Sequence, residues 1–201
     1  MQSSVFLAKL IGWKTTAWDQ NPAYRIWTMG REGRGGLYSV HEERTAVPPP
    51  PHWLSYIGTA DVDATVRHAV ELGGKVATPA YDVPRVGRMA VLTDPQGAAF
   101  ALWQPKASIG AERVNDLGCL TMNALVTTDI DAARSFYEQL FGWRTEAVDT
   151  GPDGPVIVSV YDGDTLNASL GIAAGVPPHW RPYFTVTSTE AAVERVRALG
   201  G

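Results

Sequence analysis

Apolar residues recur with the period of an amphipathic helix in four stretches of the chain. In the clearest of them, Thr128 or Asp129 is a natural N-cap and Gly142 ends the helix. The apolar face between these ends is formed by Ala133, Phe136, Tyr137, Leu140 and Phe141. A second helix begins at Asp61, ends at Gly73-Gly74 and is predicted to bury Val62, Val66, Ala69 and Val70. A third covers about Thr189–Leu199, with Val193, Val196 and Leu199 inward, and a fourth covers about Ser4–Ile11.

Between these helices, short runs rich in aromatic and β-branched residues predict strands, and Gly, Pro, Asn and Asp clusters separate them. The predicted strands are Trp13–Ala17, Ala23–Met29, Gly36–His41, Trp53–Thr59, Gly87–Thr93, Ala98–Gln104, Leu120–Thr127, Trp143–Val148, Pro155–Tyr161, Asn167–Ile172 and Tyr183–Thr187. Strands and helices that alternate in this way indicate an α+β protein.

The pattern also repeats along the chain. Pro-Pro-His-Trp occurs at residues 50–53 and again at residues 177–180, and each copy is followed by a Tyr, a helical pattern and Leu-Gly-Gly. Residues 4–19 match residues 134–149 in the same way. We therefore expect a first module over residues 1–105 without its opening strand, a linker over 106–118, and a second module over 119–201 without its last two strands.

Composition narrows the classes of function. The formal net charge is −4, and no Lys or Arg run is present, which argues against a nucleic-acid partner. No stretch approaches the length of apolar sequence that spans a membrane, so we expect no membrane partner. The single cysteine, Cys119, excludes an internal disulfide, and a reducing, cytoplasmic location is the default expectation.

Two longer motifs resemble a known family. Residues 127–143 read Thr-Thr-Asp-Ile-Asp-Ala-Ala-Arg-Ser-Phe-Tyr-Glu-Gln-Leu-Phe-Gly-Trp, and residues 94–102 begin Asp-Pro-Gln-Gly. These resemble the opening helix and the closing strand of a vicinal oxygen chelate module, from the glyoxalase, bleomycin-resistance and extradiol-dioxygenase superfamily. The tandem arrangement resembles two-module, glyoxalase-like proteins of actinobacteria. The resemblance implies tandem βαβββ modules, whose curled mixed sheets form a cup around a small-molecule pocket.

Enzymes of that superfamily hold a divalent metal with His, Glu or Gln on strands that face the cup. The matching positions here are Trp53, Ala101, Met122 and Trp180, and none of these side chains is an oxygen or imidazole donor. We therefore predict no cofactor, and a divalent metal enters only by family analogy. His52 and His179 lie one residue from a ligand position, and strand alternation turns them away, which leaves them weak candidates.

In place of a metal site, the sequence predicts a pocket for a small apolar or aromatic molecule. The predicted lining residues are Trp53, Ser55, Trp103, Met122 and Trp180. Trp13, Trp143, Tyr56 and Tyr183 are expected in the core instead. The alternatives are a glyoxalase-type lyase or an oxygenase whose metal ligands are unrecognised, and a ligand-free structural or regulatory protein. No catalytic residue stands out in the sequence.

The incomplete modules leave the assembly open. Leu120–Phe141 of the second module is one candidate to complete the cup of the first, as a circularly permuted module. A homodimer in which another copy completes each module is a second, because open sheet edges favour association. A third is that the chain is a piece of a protein of about 260 residues, two repeat lengths.

Overall fold

The computed structural model describes residues 2–19, 21–30, 32–38 and 51–201. Four helices are present in this part of the chain: α1 (Gln2–Ile11), α2 (Val62–Glu71), α3 (Ile130–Phe141) and α4 (Thr189–Ala198). The strands are β1 (Lys14–Trp18), β2 (Asn21–Met29), β3 (Glu32–Leu37), β4 (Tyr56–Gly58), β5 (Lys75–Val83), β6 (Gly87–Thr93), β7 (Ala99–Pro105), β8 (Leu120–Thr127), β9 (Arg144–Ala147), β10 (Ile157–Asp162), β11 (Thr165–Ile172) and β12 (His179–Phe184). None of the described helices has the length and apolar composition of a membrane span.

The chain divides into two compact units, each made of separate segments. The first unit combines the described part of residues 1–52 with residues 110–121 and 184–201. It contains an antiparallel sheet in the order β1-β2-β3. Trp13 is buried in this unit, with its ring centroid 5.4 Å from those of Trp27 and Phe184, and its Nε1 donates a 2.7 Å hydrogen bond to the Gly118 carbonyl. The prediction that Trp13 belongs to the core is confirmed.

The second unit combines residues 53–109 with residues 122–183 and contains two sheets, each built on a βαβββ motif. One has the order β4-β7-β6-β5 and the other the order β12-β8-β11-β10-β9. In each, the strand that precedes the helix pairs in parallel with the last strand of its βαβββ motif, and the remaining strands of the motif are antiparallel. The predicted α+β class with mixed sheets is confirmed. Because β8 pairs with β11 and β12, Leu120–Phe141 adds no strand to the four-stranded sheet. Residues 122–141 nevertheless belong to the same compact unit as that sheet, so the alternative of a circularly permuted module stays open.

Helices α2 and α3 pack against these sheets and contact each other, so that one apolar core serves the whole second unit. Asp61 caps α2 and Asp129 caps α3, each through a 3.0 Å bond from a backbone N–H three residues on. Gly142 ends α3 in the left-handed conformation, with φ +70°. These helices therefore begin and end where the sequence predicts. The core position of Trp143 is confirmed as well.

Other expectations were wrong. Val70 is 50% exposed and Val193 is 41% exposed, although helical periodicity predicted both as inward. Strand β3 covers Glu32–Leu37 instead of starting at Gly36, and residues 39–41 of the predicted strand lie outside the described residues. Strand β5 was not predicted, because it is almost entirely exposed and contains Pro79, so that neither alternation nor composition marks it.

The predicted module boundaries at 105 and 119 stay a prediction. The division into compact units follows packing density, whereas the modules follow the sequence repeat. The two descriptions are compatible, because the second unit contains the latter part of the first module and the opening part of the second.

The side chain of Gln96 joins these two parts. Its Oε1 accepts bonds from the Thr127 hydroxyl (2.7 Å), the Thr128 hydroxyl (2.8 Å) and the Asp129 N–H (2.8 Å), and its Nε2 donates to the Asp129 carbonyl at 2.8 Å. The amide thus connects the Asp-Pro-Gln-Gly turn to the N-terminus of α3.

We expect Gln96→Ala to lower the free energy of unfolding by about 1–2 kcal/mol, since the bonds to Thr128 and Asp129 are exposed and water replaces some of them. Urea denaturation measures this change. Gln139→Ala is the matched control, because among the described residues the Gln139 amide bonds to Ser135 of its own helix alone. Equal losses in the two variants would contradict a joining role for Gln96.

Candidate functional site

The register of the four-stranded sheet decides which side chains face the same way. Tyr56 pairs with Ala101, and Gly58 and Met89 both pair with Trp103. Paired residues lie on the same side of a sheet, so Tyr56, Met89 and Trp103 share one face. Their neighbours Ile57, Ala90, Phe100 and Leu102 lie on the opposite face, in the core with α2. We call the first the open face and the second the helix side.

Three aromatic rings surround Met89 on the open face. Tyr81 pairs with Met89, and its hydroxyl lies 3.1 Å from the Met89 sulfur, while the Tyr56 hydroxyl lies 4.0 Å from the same atom. The rings of Tyr56 and Trp103 meet edge to face, with centroids 6.3 Å apart. Tyr56 and Tyr81 are each 45% exposed. We name Tyr56, Tyr81, Met89 and Trp103 the aromatic face.

The Trp103 ring is held in place from two directions. Its Nε1 donates a 2.9 Å hydrogen bond to the Ser108 carbonyl. The ring also lies directly against Gly87, where a Cβ atom would stand 2.4 Å from Trp103 Cζ2. Glycine at position 87 is therefore required for the observed ring position, and the indole presents a fixed apolar surface.

The aromatic face carries no charged side chain. Partial burial raises the pKa of Tyr81, so its hydroxyl is protonated at neutral pH and remains a hydrogen-bond donor. The nearby charges of β5 and β6 are engaged elsewhere, since Arg88 bonds to Asp63 of α2 and Lys106 bonds to Asp82. The face therefore combines aromatic surface, a polarizable sulfur and two hydroxyls.

On the helix side, a chain of buried hydrogen bonds runs through Tyr137. Trp180 Nε1 donates to the Tyr137 hydroxyl at 3.0 Å, and that hydroxyl donates to Asp94 Oδ2 at 3.1 Å. Burial raises the pKa of Asp94, and burial together with the Asp94 charge raises the pKa of Tyr137 well above its usual value. Tyr137 is thus a neutral donor whose hydroxyl links two sheets across α3.

The structure divides the five predicted lining residues among different surroundings. Trp103 is half-buried on the open face, whereas Ser55 and Trp180 are buried and line a cavity on the helix side. Trp53 is 45% exposed and precedes β4. Met122 lies half-buried in the other sheet, on the side of β8 opposite to Asn123. A ligand-binding role for these residues stays a prediction.

The expectation that Tyr56 and Tyr183 belong to the core was wrong, because they are 45% and 41% exposed. Sequence reasoning therefore missed Tyr56 as a site residue, and it missed Met89 and Tyr81 as well. The position of Met89 could have been predicted from the sequence. The Asp-Pro-Gln-Gly turn pairs Thr93 with Ala99, and counting back along the hairpin pairs Met89 with Trp103. The position of Tyr81 could not have been predicted, because two register shifts in β5 precede it.

The side chains on the open strand faces do not fit a divalent metal. Tyr56, Ala101 and Trp103 occupy β4 and β7, and Met122 occupies β8, and none of these four side chains is a carboxylate or an imidazole. Within residues 2–19, 21–30, 32–38 and 51–201, no three His, Cys, Asp or Glu side chains group as metal ligands. Of the two weak candidates, His179 bonds through Nδ1 to the Pro177 carbonyl, and His52 is exposed.

The repeated βαβββ topology matches the fold that the sequence resemblance implies, and comparison with known sequences points to the same superfamily. The profile of the Glyoxalase/Bleomycin resistance protein/Dioxygenase superfamily matches residues 4–102. A relative in Mycobacterium tuberculosis (strain CDC 1551 / Oshkosh), named "Putative glyoxylase CFP32", is 35% identical over 98% of this chain and 76% of its own length. The chain belongs to this superfamily.

A second relative is the "Anthracycline biosynthesis protein DnrV" of Streptomyces peucetius. It is 39% identical over 155 residues, which are 76% of this chain and 56% of that protein. The chain therefore spans little more than half of this relative.

Solved structures share the fold at low sequence identity. The Mn(II)-bound glyoxalase of Novosphingobium aromaticivorans superposes with a TM-score of 0.63 at 16% identity, over 99% of this chain and 66% of that one. A variant of homoprotocatechuate 2,3-dioxygenase from B.fuscum gives a TM-score of 0.64 at 17% identity, over 98% of this chain and 57% of that one.

Proposed function

We propose that this chain binds a planar, fused-ring aromatic molecule through its ring surface on the aromatic face, without a metal of its own. One observation carries the proposal: two half-exposed tyrosines and a fixed tryptophan surround a methionine sulfur, with no charged group among them. Rings of this kind bind other rings edge to face or by offset stacking, and sulfur adds favourable contacts with aromatic edges.

The relatives support this class of ligand. The name of DnrV places that protein in the biosynthesis of anthracyclines, which are polycyclic aromatic compounds. We extend to this chain only the chemical class, a planar fused-ring molecule. The Tyr56 and Tyr81 hydroxyls are suited to bond with carbonyl or hydroxyl groups at the edge of such a ligand.

The competing function is a metal-dependent lyase or oxygenase, as the fold of the Mn(II)-bound glyoxalase and of the dioxygenase allows. The donor set argues against it, because indole, alkyl and thioether groups replace the ligands that such a metal needs. We derive no step through a metal. A cytoplasmic location and a homodimer stay predictions, and sedimentation equilibrium tests the latter.

The test uses an anthracycline and the smaller anthraquinone sulfonate as probes, with ligand and tryptophan fluorescence as the readout. Tyr56→Ala and Tyr81→Ala are each expected to weaken binding about fivefold or more, because each removes one ring contact. Tyr81→Phe separates the ring from the hydroxyl and is expected to retain most of the affinity for the sulfonate. Tyr183→Ala is the matched control, a tyrosine of similar exposure in a different sheet.

Two results would overturn the proposal. One is equal loss of affinity in Tyr81→Ala and Tyr183→Ala, which would show that the aromatic face is not the site. The other is one equivalent of tightly bound Mn, Fe or Zn whose removal by a chelator abolishes probe binding.

A further inference from the structure

A second cavity lies on the helix side, and Tyr56 is the one lining residue that it shares with the aromatic face. Its volume is about 180 Å³. The edge strand β4 forms one wall of the cavity. Residues of the five-stranded sheet, together with Trp143 just after α3, form the rest. The side chains that matter for its chemistry are Ser55, Asn123, Trp143, Asp162, Asn167 and Trp180.

One side of this cavity is apolar and fixed. Trp143 is 7% exposed and Trp180 is 5% exposed, and both belong to the core of the second unit. The Trp180 Nε1 is already bonded to the Tyr137 hydroxyl. Both indoles therefore offer ring surface in fixed positions, which suits a small aromatic ring.

The other side is polar and has unused bonding capacity. Ser55, which is 8% exposed, donates a 2.8 Å bond to Asn123 Oδ1. This bond occupies the amide oxygen of Asn123 and leaves its Nδ2 hydrogens without an acceptor in the described part of the chain. The Ser55 hydroxyl oxygen still has lone pairs that can accept a hydrogen bond. A donor and an acceptor thus stand side by side in a partly enclosed site.

The charge of the lining selects against anions. Asp162 is the one charged side chain among the lining residues, and no Lys, Arg or His lines the cavity. A carboxylate at the exposed end favours a group that donates hydrogen bonds and disfavours a negatively charged ligand.

We infer that this cavity binds a single-ring aromatic molecule that bears a hydroxyl or amino group, such as a phenol or an aniline. The size argues for one ring, because a cavity of about 150 Å³ accommodates benzene and larger ligands need about 300 Å³ or more. The ring packs against Trp143 and Trp180. The substituent donates to Asp162 or the Ser55 oxygen and, where it has a lone pair, accepts from Asn123 Nδ2. Tyr81, Met89 and Trp103 of the aromatic face do not line this cavity, and binding here does not rest on the proposed function.

The experiment compares phenol, aniline, toluene and benzoate by titration, with the chemical shifts of the tryptophan indole N–H groups as the readout. Phenol and aniline are expected to bind about tenfold more tightly than toluene, since one hydrogen bond in a buried site contributes about this factor. Benzoate is expected to show no saturable shift. Equal affinity for toluene and phenol, or tight binding of benzoate, would overturn the inference.

Two variants locate the site. Asn123→Leu and Asp162→Asn are each expected to weaken phenol binding about fivefold to tenfold. Asn167→Leu provides a third test at an exposed lining residue, in case Asn123→Leu fails to fold. Asp164→Asn, which removes the same charge from the same β10–β11 turn outside the lining, is expected to leave phenol affinity unchanged. Full affinity in all three lining variants would overturn the inference.

The anthraquinone probe distinguishes this inference from the proposed function. If phenol binds and depends on Asp162 while anthraquinone sulfonate does not bind at all, the proposed function fails and the cavity assignment holds. Competition between the two probes for one site would overturn the separate cavity.

Discussion

Asp94→Ala is expected to lower the free energy of unfolding by about 3 kcal/mol. The Asp94 carboxylate is 2% exposed and accepts three hydrogen bonds, from the Gln96 N–H at 2.9 Å, the Ala98 N–H at 2.9 Å and the Tyr137 hydroxyl at 3.1 Å. The alanine variant leaves these buried donors without an acceptor, and each orphaned donor costs about 1–3 kcal/mol, reduced where the turn relaxes. Urea denaturation at neutral pH measures the change.

Tyr137→Phe and the double variant test whether this loss comes from the hydrogen-bond chain. Tyr137→Phe removes the hydroxyl between Trp180 and Asp94 and is expected to cost about 1–2 kcal/mol. Because the two residues are in direct contact, the losses are expected to be non-additive by at least about 0.5 kcal/mol. Strictly additive losses would show that the bond between them contributes nothing.

The same carboxyl group predicts a dependence on pH. Burial raises the pKa of Asp94 in the folded protein above its value in the unfolded chain, so the folded protein binds its proton more tightly. The stabilisation from this group is complete below the unfolded pKa and is lost as pH rises through the folded pKa. The stability of the wild type relative to Asp94→Asn is therefore expected to fall as the pH rises above the ordinary pKa of an aspartate, about 4. Taking the difference between the two proteins cancels the contributions of Asp63 and Asp82 to the pH dependence. Hydrogen bonds to Arg88 and Lys106 lower the pKa values of Asp63 and Asp82 respectively.

Gly87→Ala is the second change with a large expected effect. The added Cβ would lie 2.4 Å from Trp103 Cζ2 and 2.9 Å from the Gln104 carbonyl oxygen. The indole must leave its position, and its bond to the Ser108 carbonyl is strained or broken. We expect a loss of about 1–3 kcal/mol in the free energy of unfolding. We also expect at least about a tenfold loss in affinity for anthraquinone sulfonate, because a bound ring loses a preorganised partner.

Gly171→Ala is the matched control for this variant. Gly171 also lies in a strand of the second unit, and a Cβ there would be 3.7 Å from the nearest atom, an ordinary contact. Its stability and probe affinity are expected to stay close to wild type. If Gly87→Ala kept full affinity for the probe, Trp103 would not be a binding surface.

The sequence predicted those features that depend on local chemistry. Asp129 caps α3 and Gly142 ends it, because N-cap bonding and left-handed backbone are properties of single residues and their near neighbours. The β6–β7 hairpin followed from the Asp-Pro-Gln-Gly turn in the same way. The repeat and its motifs were sufficient for the family, since they are read directly from residue order.

The candidate site was harder to predict from the sequence, because it depends on pairings between strands that are distant in the chain. Ser55 and Tyr56 are neighbours in sequence, yet one is buried on the helix side and the other is exposed on the open face. A one-residue change in register exchanges the two faces of a strand, and the sequence of β4 alone does not set that register.

The sequence by itself therefore determined the βαβββ pattern and the helix ends. Only the tertiary structure decided which aromatics act together. The pairing of β4 with β7, and of β5 with β6, brings Tyr56 and Tyr81 to Met89 and Trp103. Packing in the core around α2 and α3 buries Trp180. Both outcomes follow from contacts between residues far apart in the chain, which no local pattern specifies.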